Sequence, residues 1–141
     1  MQTTDLSEDN RARLIAGAQQ VRQRAYAPYS HYLVGAALLA SNGNIFLGCN
    51  VENGAYSPTC CAERVAVFKA ISEGVQNFDA IVVATETGVA PCGVCRQVLY
   101  EFSPDLIVIA VDHDDHITFE GTLRDLLPHG FGPEQLGYAA P

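Results

Sequence analysis

The sequence lacks any run of about 18 uncharged apolar residues, the length that a helix needs to cross a membrane. It is also poor in positive charge, with 8 Lys and Arg against 16 Asp and Glu, and its formal net charge is −8. Because nucleic acids and anionic membranes attract basic surfaces, this balance argues against either as a tight partner. A small neutral substrate is compatible with it.

The N-terminal segment, Met1 to Arg13, is polar and has no apolar core of the signal-peptide type, which predicts a cytoplasmic protein. Repeats and linkers are missing as well, and a chain of 141 residues suits a single domain over 1–141. The chain has five cysteines, which is an odd number, and the cytoplasm is a reducing compartment. These cysteines indicate metal binding or redox chemistry rather than a disulfide framework.

Apolar residues at helical spacing predict four helices. The first is capped by Ser7, stops at Pro28, and has its buried stripe at Leu14, Ala18, Val21 and Ala25. The second begins near Cys61, ends near Gly74, and has its stripe at Ala62, Val65, Ala66, Lys69 and Ala70. The third covers Cys92 to Phe102, with Val94, Val98 and Phe102 on one side. A short last helix starts between Thr122 and Asp125.

Short apolar runs predict five strands, at Tyr32 to Ala40, Ile45 to Val51, Asp79 to Thr85, Leu106 to Val111 and His116 to Phe119. The first two are expected to form an antiparallel hairpin, because Asn42-Gly43 between them tolerates positive φ. The element order α-β-β-α-β-α-β-β-α predicts an α/β fold with one mixed sheet and helices on both of its faces.

Three cysteines are placed where predicted helices begin. Cys92 and Cys95 are three residues apart, so one helical turn brings both to the same face, and Pro91 fits at or just before the helix start. Cys61 lies at the start of another helix. Helix N-termini stabilise thiolates, and thiolates bind zinc tetrahedrally, so these residues predict a zinc site.

Three protein ligands leave one coordination position open, which is typical of a catalytic zinc. Glu63 is the predicted proton carrier beside the metal. Side chains two apart inside a helix point about 200° apart. Cys61 and Glu63 can therefore share one site only if Cys61 reaches off the very first turn. Arg64 is the nearest basic residue in sequence and could temper the charge of the thiolates.

Simpler interpretations exist for each part of this pattern. A single cysteine at a helix start is usually a small buried hydrophobe, and Cys-x-x-Cys alone could be a redox pair. The combination is more specific, because a metal ligand, a spacer, Glu and then Pro-Cys-x-x-Cys is the known signature of zinc deaminases. Cys60 also neighbours Cys61, although Cys61 has the required spacing to Glu63.

Beyond this signature, the chain resembles cytidine deaminases of the small, homotetrameric, three-cysteine type. The resemblance extends from about Ala25 to Phe131. It is carried by Ala25-Tyr26-Ala27-Pro28-Tyr29-Ser30, Val34-Gly35-Ala36-Ala37-Leu38, Gly48-Cys49-Asn50-Val51-Glu52-Asn53, Cys61-Ala62-Glu63-Arg64 and Pro91-Cys92-Gly93-Val94-Cys95-Arg96-Gln97. It implies a three-layer α/β/α sandwich with a mixed five-stranded sheet, and a homotetramer whose subunits share active sites.

The resemblance also implies the reaction, which is zinc-dependent hydrolysis of cytidine and deoxycytidine to uridine and deoxyuridine with release of ammonia, in pyrimidine salvage. Zinc-activated water attacks C4 of the base, and Glu63 moves the protons. Asn50 and Glu52 match the pair that binds the ribose 3′-hydroxyl. Residues two apart in an extended strand end face the same way, although a turn-forming Asn and a solvated Glu would look the same.

Further positions follow from the resemblance alone. Tyr32 matches a residue, usually Phe, that packs on the pyrimidine ring, and Ala62 matches a residue whose backbone contacts the base. Tyr56 and Phe131 match residues that enter a neighbouring subunit's site, and Arg64 matches an arginine bonded to the thiolates. Asp112-His113-Asp114-Asp115-His116 looks like a metal cluster, but a solvated turn is the preferred interpretation.

The sequence leaves two rival functions open. One is a zinc deaminase for another base, of the blasticidin or nucleic-acid-editing type. The acidic charge opposes editing, and a carboxylate that recognises a 3′-hydroxyl opposes a phosphodiester at that position. The other is a structural zinc module without catalysis, which needs Cys60 or Cys49 as a fourth ligand.

Overall fold

Residues 6–138 are the part of the chain that the computed structural model describes, so positions 1–5 and 139–141 of the predicted domain lie outside the described residues. Within them the strands are β1 (Gly35–Ala40), β2 (Ile45–Cys49), β3 (Phe78–Ala84), β4 (Ile107–Val111) and β5 (Ile117–Thr122). The helices are α1 (Glu8–Arg22), α2 (Ala62–Ser72), α3 (Gly93–Phe102), α4 (Leu123–Leu126) and a 3-10 helix at Pro133–Leu136.

The five strands form a mixed sheet in the order β2-β1-β3-β4-β5. β1 pairs antiparallel with both β2 and β3, β3 pairs parallel with β4, and β4 pairs antiparallel with β5. The predicted hairpin turn is confirmed, with Gly43 at φ 93°. Because β3 and β4 are parallel, their carboxyl ends meet at one edge of the sheet, where Thr85 and Asp112 follow the strands.

Helices cover both faces of this sheet, so the predicted three-layer α/β/α arrangement is confirmed. On one face, Leu14 and Ala18 of α1 pack with Leu39 of β1 and its neighbours. On the other face, the core includes Leu38 of β1 and Leu99 of α3, together with α2 and α4. Every residue of β1 is buried, as expected for a strand covered on both sides. No helix between residues 6 and 138 has the length and apolarity needed to cross a bilayer.

Ser7 caps α1 as predicted, since its hydroxyl accepts a hydrogen bond from the Asn10 backbone N–H at 3.1 Å. The end of α1 was predicted wrongly, because the helix stops at Arg22 and leaves Ala25 outside the buried stripe. The chain tightens after Arg22 and then joins Val51 in a β-bridge through Tyr26. This tertiary pairing ends the helix before Pro28 can do so.

The first two strands are shorter than predicted, and one side chain explains both differences. β1 begins at Gly35 rather than Tyr32, and β2 ends at Cys49 rather than Val51. The Asn50 amide donates to the Tyr32 carbonyl and accepts from the Val34 N–H, both at 2.9 Å. One backbone bond remains here, from the Asn50 N–H to the Val34 carbonyl at 3.2 Å, but the Asn50 side chain occupies the neighbouring groups and regular strand pairing ends.

The predicted stripes of α2 and α3 need correction. In α2 the buried residues are Ala62, Glu63, Ala66, Val67 and Ala70, while Val65 is half-buried and Lys69 exposed. A Cβ at Gly48 of β2 would come within 2.5 Å of the α2 backbone, so α2 lies directly on the sheet through its alanines.

In α3, Val94 is 58% exposed, and the buried residues are Cys95, Leu99 and Tyr100. The predicted Val98 and Phe102 are only partly buried, although both pack against the core. The inward position of Cys95 sets the rotation of the helix, since Leu99 lies one turn later on the same side.

Candidate active site

Three thiols meet where α2 and α3 begin. Cys61 is the N-cap of α2, Cys92 is the N-cap of α3, and Cys95 lies in the first turn of α3. Their sulfur atoms all lie within 4.8 Å of one another, and the Cys61 and Cys92 sulfurs are 3.8 Å apart. The predicted cluster is therefore assembled by two helix N-termini, whose dipoles favour thiolates.

The cluster has the dimensions of a zinc site. A tetrahedral zinc with Zn–S bonds of about 2.3 Å places its sulfurs about 3.8 Å apart, which matches the Cys61–Cys92 separation. In residues 6–138 no fourth His, Cys, Asp or Glu ligand joins the group, so Cys49 and Cys60 are outside it. Three thiols with one position open fit a catalytic zinc, and they oppose the structural module that needed one of those cysteines.

The electrostatic environment of the thiols favours a bound cation. The pKa of Cys61 is lowered to about 5, chiefly by a hydrogen bond from Cys95 and also by Arg64 and Cys92, although burial opposes this. The pKa of Cys95 is raised, because its thiol is the donor to Cys61 and its surroundings are buried. Without a cation, the ionised Cys61 disfavours ionisation of Cys95. A bound Zn²⁺ would supply the positive charge that lets all three thiols ionise.

Arg64 lies beside the cluster. Its Nη2 is 3.4 Å from the Cys61 sulfur and 3.4 Å from the Thr59 carbonyl oxygen. The pKa of this guanidinium is raised, first by its hydrogen bond to Cys61. A fixed positive charge at this distance offsets part of the thiolate charge.

Glu63 is the second residue of α2 and is only 4% exposed, yet it lines the same cavity as Cys61. Cys61 and Glu63 can share one site only if Cys61 lies outside the regular helix, and this condition is met. Cys61 has φ −70° and ψ 156°, so it is extended and is not subject to the helical rotation that would point it away from Glu63. Burial raises the pKa of Glu63 to about 7, where a carboxyl group can both accept and donate a proton near neutral pH.

A cavity of about 320 Å³ opens beside these groups, which is large enough for a small ligand. Its lining includes six residues predicted from the sequence, namely Tyr32, Asn50, Glu52, Cys61, Glu63 and Cys92. The other lining residues are Ser30, Val34, Thr59, Val83, Thr85, Val89 and Ala90. The site therefore combines a metal-binding end with a wall made largely of loops.

The loop wall is ordered by polar contacts of its own. The Glu52 carboxylate accepts hydrogen bonds from the backbone N–H groups of Tyr29 and Ser30, at 3.0 and 3.1 Å, and from the Ser30 hydroxyl. These bonds lower the pKa of Glu52, and the bond from the Ser30 hydroxyl has the largest effect. Glu52 is therefore ionised at neutral pH. Asn50 is 8% exposed and holds the backbone on both sides of Leu33.

Five predicted site residues do not line this cavity: Cys95 and Arg64, which belong to the thiol cluster behind it, and three predicted substrate contacts. Ala62 is fully buried and does not line it. Tyr56 is 72% exposed and lines an adjoining cavity of about 300 Å³, which also contains Tyr29 and Glu52. Phe131 is 54% exposed and lies outside the lining of both cavities.

Sequence reasoning gave no role to several lining residues. Thr85 follows β3 at the edge where the parallel strands end, which is where α/β sheets bind ligands, so that rule could have found it. Val89 and Ala90 belong to the loop that leads to Cys92. Ser30 lay inside a recognised motif, but nothing in the pattern indicated its bond to Glu52. The Asp112–His116 run forms a turn, as expected, with Asp115 at φ 65°.

Fold and site together define an α/β protein with a three-thiol metal site, a buried glutamate beside it and a cavity of about 320 Å³. A family model for the cytidine and deoxycytidylate deaminase zinc-binding region matches residues 8–111. The chain belongs to this family of zinc-dependent hydrolases.

Individual relatives support the assignment. The chain is 49% identical to the cytidine deaminase of Sporosarcina psychrophila, over 91% of this chain and 96% of that protein. It is 45% identical to a probable cytidine deaminase of Dictyostelium discoideum, over 93% and 90% of the two chains. The crystal structure of cytidine deaminase from Burkholderia pseudomallei superposes with a TM-score of 0.83 at 42% identity, covering 89% of this chain and all of that one.

Proposed function

We propose that this enzyme hydrolyses cytidine and deoxycytidine to uridine and deoxyuridine, releasing ammonia, as a step of pyrimidine salvage. The observation that carries the proposal is the buried Glu63 beside a three-thiol cluster, both opening on one cavity. The cytidine deaminases that match most of the chain support the choice of substrate. Hydrolytic loss of an amine needs an activated water and a group that moves protons, and this site contains what both require.

Cys61, Cys92 and Cys95 are the residues that would hold the zinc ion. When bound, zinc acts as a Lewis acid that makes water a stronger nucleophile near neutral pH. Arg64 limits the accumulated negative charge of the thiolates through its contact with Cys61. The start of α2 carries both Cys61 and Glu63, so the metal ligand and the proton carrier are held on one rigid element.

Glu63 performs the proton transfers in this proposal. It accepts a proton from the attacking water and delivers it to N3 of the pyrimidine. It then accepts the proton of the new hydroxyl group at C4, as that group becomes the carbonyl of the product, and passes it to the departing amine. A pKa of about 7 suits a group that must act as base and then as acid in one cycle. Its burial also keeps bulk water from competing for these protons.

Substrate recognition is assigned to the loop wall. Tyr32 packs on the pyrimidine ring, the Ala62 backbone contacts the base, and Asn50 with Glu52 binds the ribose 3′-hydroxyl. An ionised Glu52, ordered by Ser30, is a strong acceptor for a hydroxyl group. The same charge would repel a phosphodiester, which favours a free nucleoside over a nucleic acid.

We further propose a homotetramer in which Tyr56 and Phe131 reach the site of a neighbouring subunit. Both aromatic side chains are more than half exposed in the isolated chain. The outer surfaces of α2 and α3 also expose apolar side chains, Phe68 at 49% and Val94 at 58%. Exposed apolar groups of this kind favour a protein partner, and light scattering coupled to size exclusion measures the oligomeric state directly.

The remaining assignments are a single domain over 1–141, a cytoplasmic location, and no nucleic-acid or membrane partner. Five free cysteines agree with a reducing compartment, where thiols remain available for zinc. The net charge of −8 agrees with a small neutral substrate.

A spectrophotometric assay on cytidine, deoxycytidine and blasticidin S, combined with zinc quantification, tests the proposal. We expect turnover of both nucleosides, no turnover of blasticidin S, and one zinc per chain. Turnover of blasticidin S alone would replace the proposed substrate. Zinc without turnover of any of the three would support a structural role for the metal.

A further inference from the structure

Thr87 lies in the segment that joins β3 to α3, and no role follows for it from the sequence pattern. Its hydroxyl oxygen is 2.9 Å from the hydroxyl oxygen of Tyr32, a hydrogen bond between residues 55 positions apart. Tyr32 lines the active-site cavity, whereas Thr87 is exposed at its edge. The contact therefore connects one wall of the cavity to the loop that forms the other.

The loop that carries Thr87 is held by several bonds that do not involve Tyr32. The Thr85 hydroxyl accepts from the Gly88 N–H at 2.7 Å, and the Thr118 hydroxyl donates to the Gly88 carbonyl at 2.6 Å. Gly88 has φ 76°, and a Cβ there would come within 2.5 Å of Thr118. Thr87 is thus attached to a fixed support, so its hydroxyl has a defined position.

The backbone around Tyr32 is fixed just as closely. Asn50 binds the carbonyl of Tyr32, and the Ser30 hydroxyl accepts from the Tyr32 N–H at 3.0 Å. Arg22 also joins the two walls behind the cavity, since it donates to the Leu33 carbonyl and to the Glu86 carboxylate, each at 3.1 Å. With both backbones held, the ring of Tyr32 retains only its side-chain torsions.

We infer that Thr87 is a positioning residue for nucleoside binding, because its hydroxyl fixes the ring of Tyr32 across the edge of the active-site cavity. The inference rests on the proposed function, in which Tyr32 packs on the base. A ring that is already in place when the nucleoside arrives loses less conformational freedom on binding, so the bond contributes to affinity rather than to the chemical step.

Thr87→Val removes the hydroxyl and keeps the branched shape. We expect it to raise KM for cytidine about twofold to fivefold, the effect of one neutral hydrogen bond, with kcat unchanged. Tyr32→Phe should raise KM to a similar degree. The double variant should be no worse than either single variant, because both changes remove the same bond. Thr87→Ser, which keeps a hydroxyl, should restore KM.

Two measurements separate positioning from a merely structural role. Calorimetric titration with uridine reports affinity without turnover, and Thr87→Val should weaken uridine binding by the same factor as KM. Ser41→Ala removes a remote hydroxyl that donates to Asp79 at 2.7 Å, and it should leave KM and the uridine affinity unchanged. Thermal unfolding of all variants shows whether the fold has been affected.

Some outcomes overturn the inference while the proposed function stands. In the first, wild type turns over cytidine and Thr87→Val has the same KM and uridine affinity as wild type. In the second, the effects of Thr87→Val and Tyr32→Phe add up in the double variant. A lower melting temperature with unchanged affinity would assign Thr87 a structural role only. If wild type released no ammonia from cytidine, the proposed function would fail, and the uridine titration would still decide whether Thr87 and Tyr32 act together.

Discussion

The two halves of the active site are built differently. The metal half consists of side chains at the starts of two helices, Cys61 and Glu63 on α2 and Cys92 and Cys95 on α3. The loop half consists of residues such as Tyr32, Asn50 and Glu52, whose positions depend on bonds between loops. In the metal half, regular secondary structure supplies the geometry. In the loop half, each side chain is placed by particular hydrogen bonds.

This difference has a consequence for function. In the proposed function, a side chain in the metal half holds the metal or moves protons, so its loss should abolish catalysis or metal binding. A side chain in the loop half would bind and orient the substrate, so its loss should raise KM and leave the metal in place. Variants in each half, and one outside both, therefore test the division.

The largest effect is expected from Cys95→Ala, which removes a fully buried thiol of the metal half. Zinc content should fall well below one per chain and turnover should fall to background, because two thiols hold zinc poorly. Atomic absorption and ammonia release are the measurements. Cys49→Ala is the matched control and should keep both. Stoichiometric zinc in Cys95→Ala would contradict the assignment of the ligands.

Glu63→Gln should separate metal binding from catalysis within the same half. We expect stoichiometric zinc and a fall in kcat of about 10²–10⁴-fold or more, because the amide cannot accept or deliver the protons. Glu101→Gln, an exposed glutamate on α3, is the control and should behave as wild type. A nearly normal rate in Glu63→Gln would refute its role as proton carrier.

In the loop half, Glu52→Gln should raise KM for cytidine roughly tenfold to a hundredfold, the range for a hydrogen bond to a charged group. The zinc content should remain at one per chain and kcat should change little. Steady-state kinetics with zinc analysis checks this. An unchanged KM would remove Glu52 from substrate recognition and leave it as the support of Ser30.

Phe131→Ala tests whether the loop half extends into a second subunit. We expect a KM increase of a few fold without loss of metal, because an exposed aromatic group would lose its contact with the neighbouring site. Tyr138→Ala is a suitable control, since Tyr138 is 68% exposed in the same C-terminal segment. If KM stays at the wild-type value, Phe131 does not contact a site.

Outside both halves, the smallest effect is expected from Glu120→Gln. The Glu120 carboxylate accepts two hydrogen bonds of 2.8 Å from Arg11, and this pair lowers the pKa of Glu120. Its stabilisation, about 0.5–1 kcal/mol, is therefore present above the unfolded-state pKa and is lost as the pH falls through the lower folded-state value.

Urea unfolding at several pH values measures this contribution. The difference in the free energy of unfolding between wild type and Glu120→Gln should shrink at acidic pH, while kcat and KM at neutral pH stay the same. A difference that grew on acidification would mean that the pair with Arg11 does not stabilise the fold.

The metal half could be predicted because its rules are local. Cys92 and Cys95 share a face through helix geometry. Cys61 can face the same site as Glu63 because it is an N-cap and lies outside the regular helix. The loop half was predicted only by resemblance. The bond from Ser30 to Glu52 spans 22 positions and that from Tyr32 to Thr87 spans 55, so periodicity gives no sign of either.

Errors in the predicted elements have a similar origin. α1 ends at Arg22 because Tyr26 pairs with Val51, and the sequence near Arg22 contains no stop signal that shows this. The buried side of α3 is set by the inward position of Cys95 rather than by Val94. In each case a contact with a distant segment overrode the local pattern.

The sequence by itself determined which residues are candidates for the chemistry, because the spacing of thiols and a carboxylate at a helix start fixes their relative positions within a single helical turn. Only the tertiary structure decided that the start of α2 meets the start of α3, which brings Cys61 to Cys92 and Cys95. The physical reason is range. Helix geometry acts over three or four residues, whereas the meeting of two helices depends on how both pack on the same sheet.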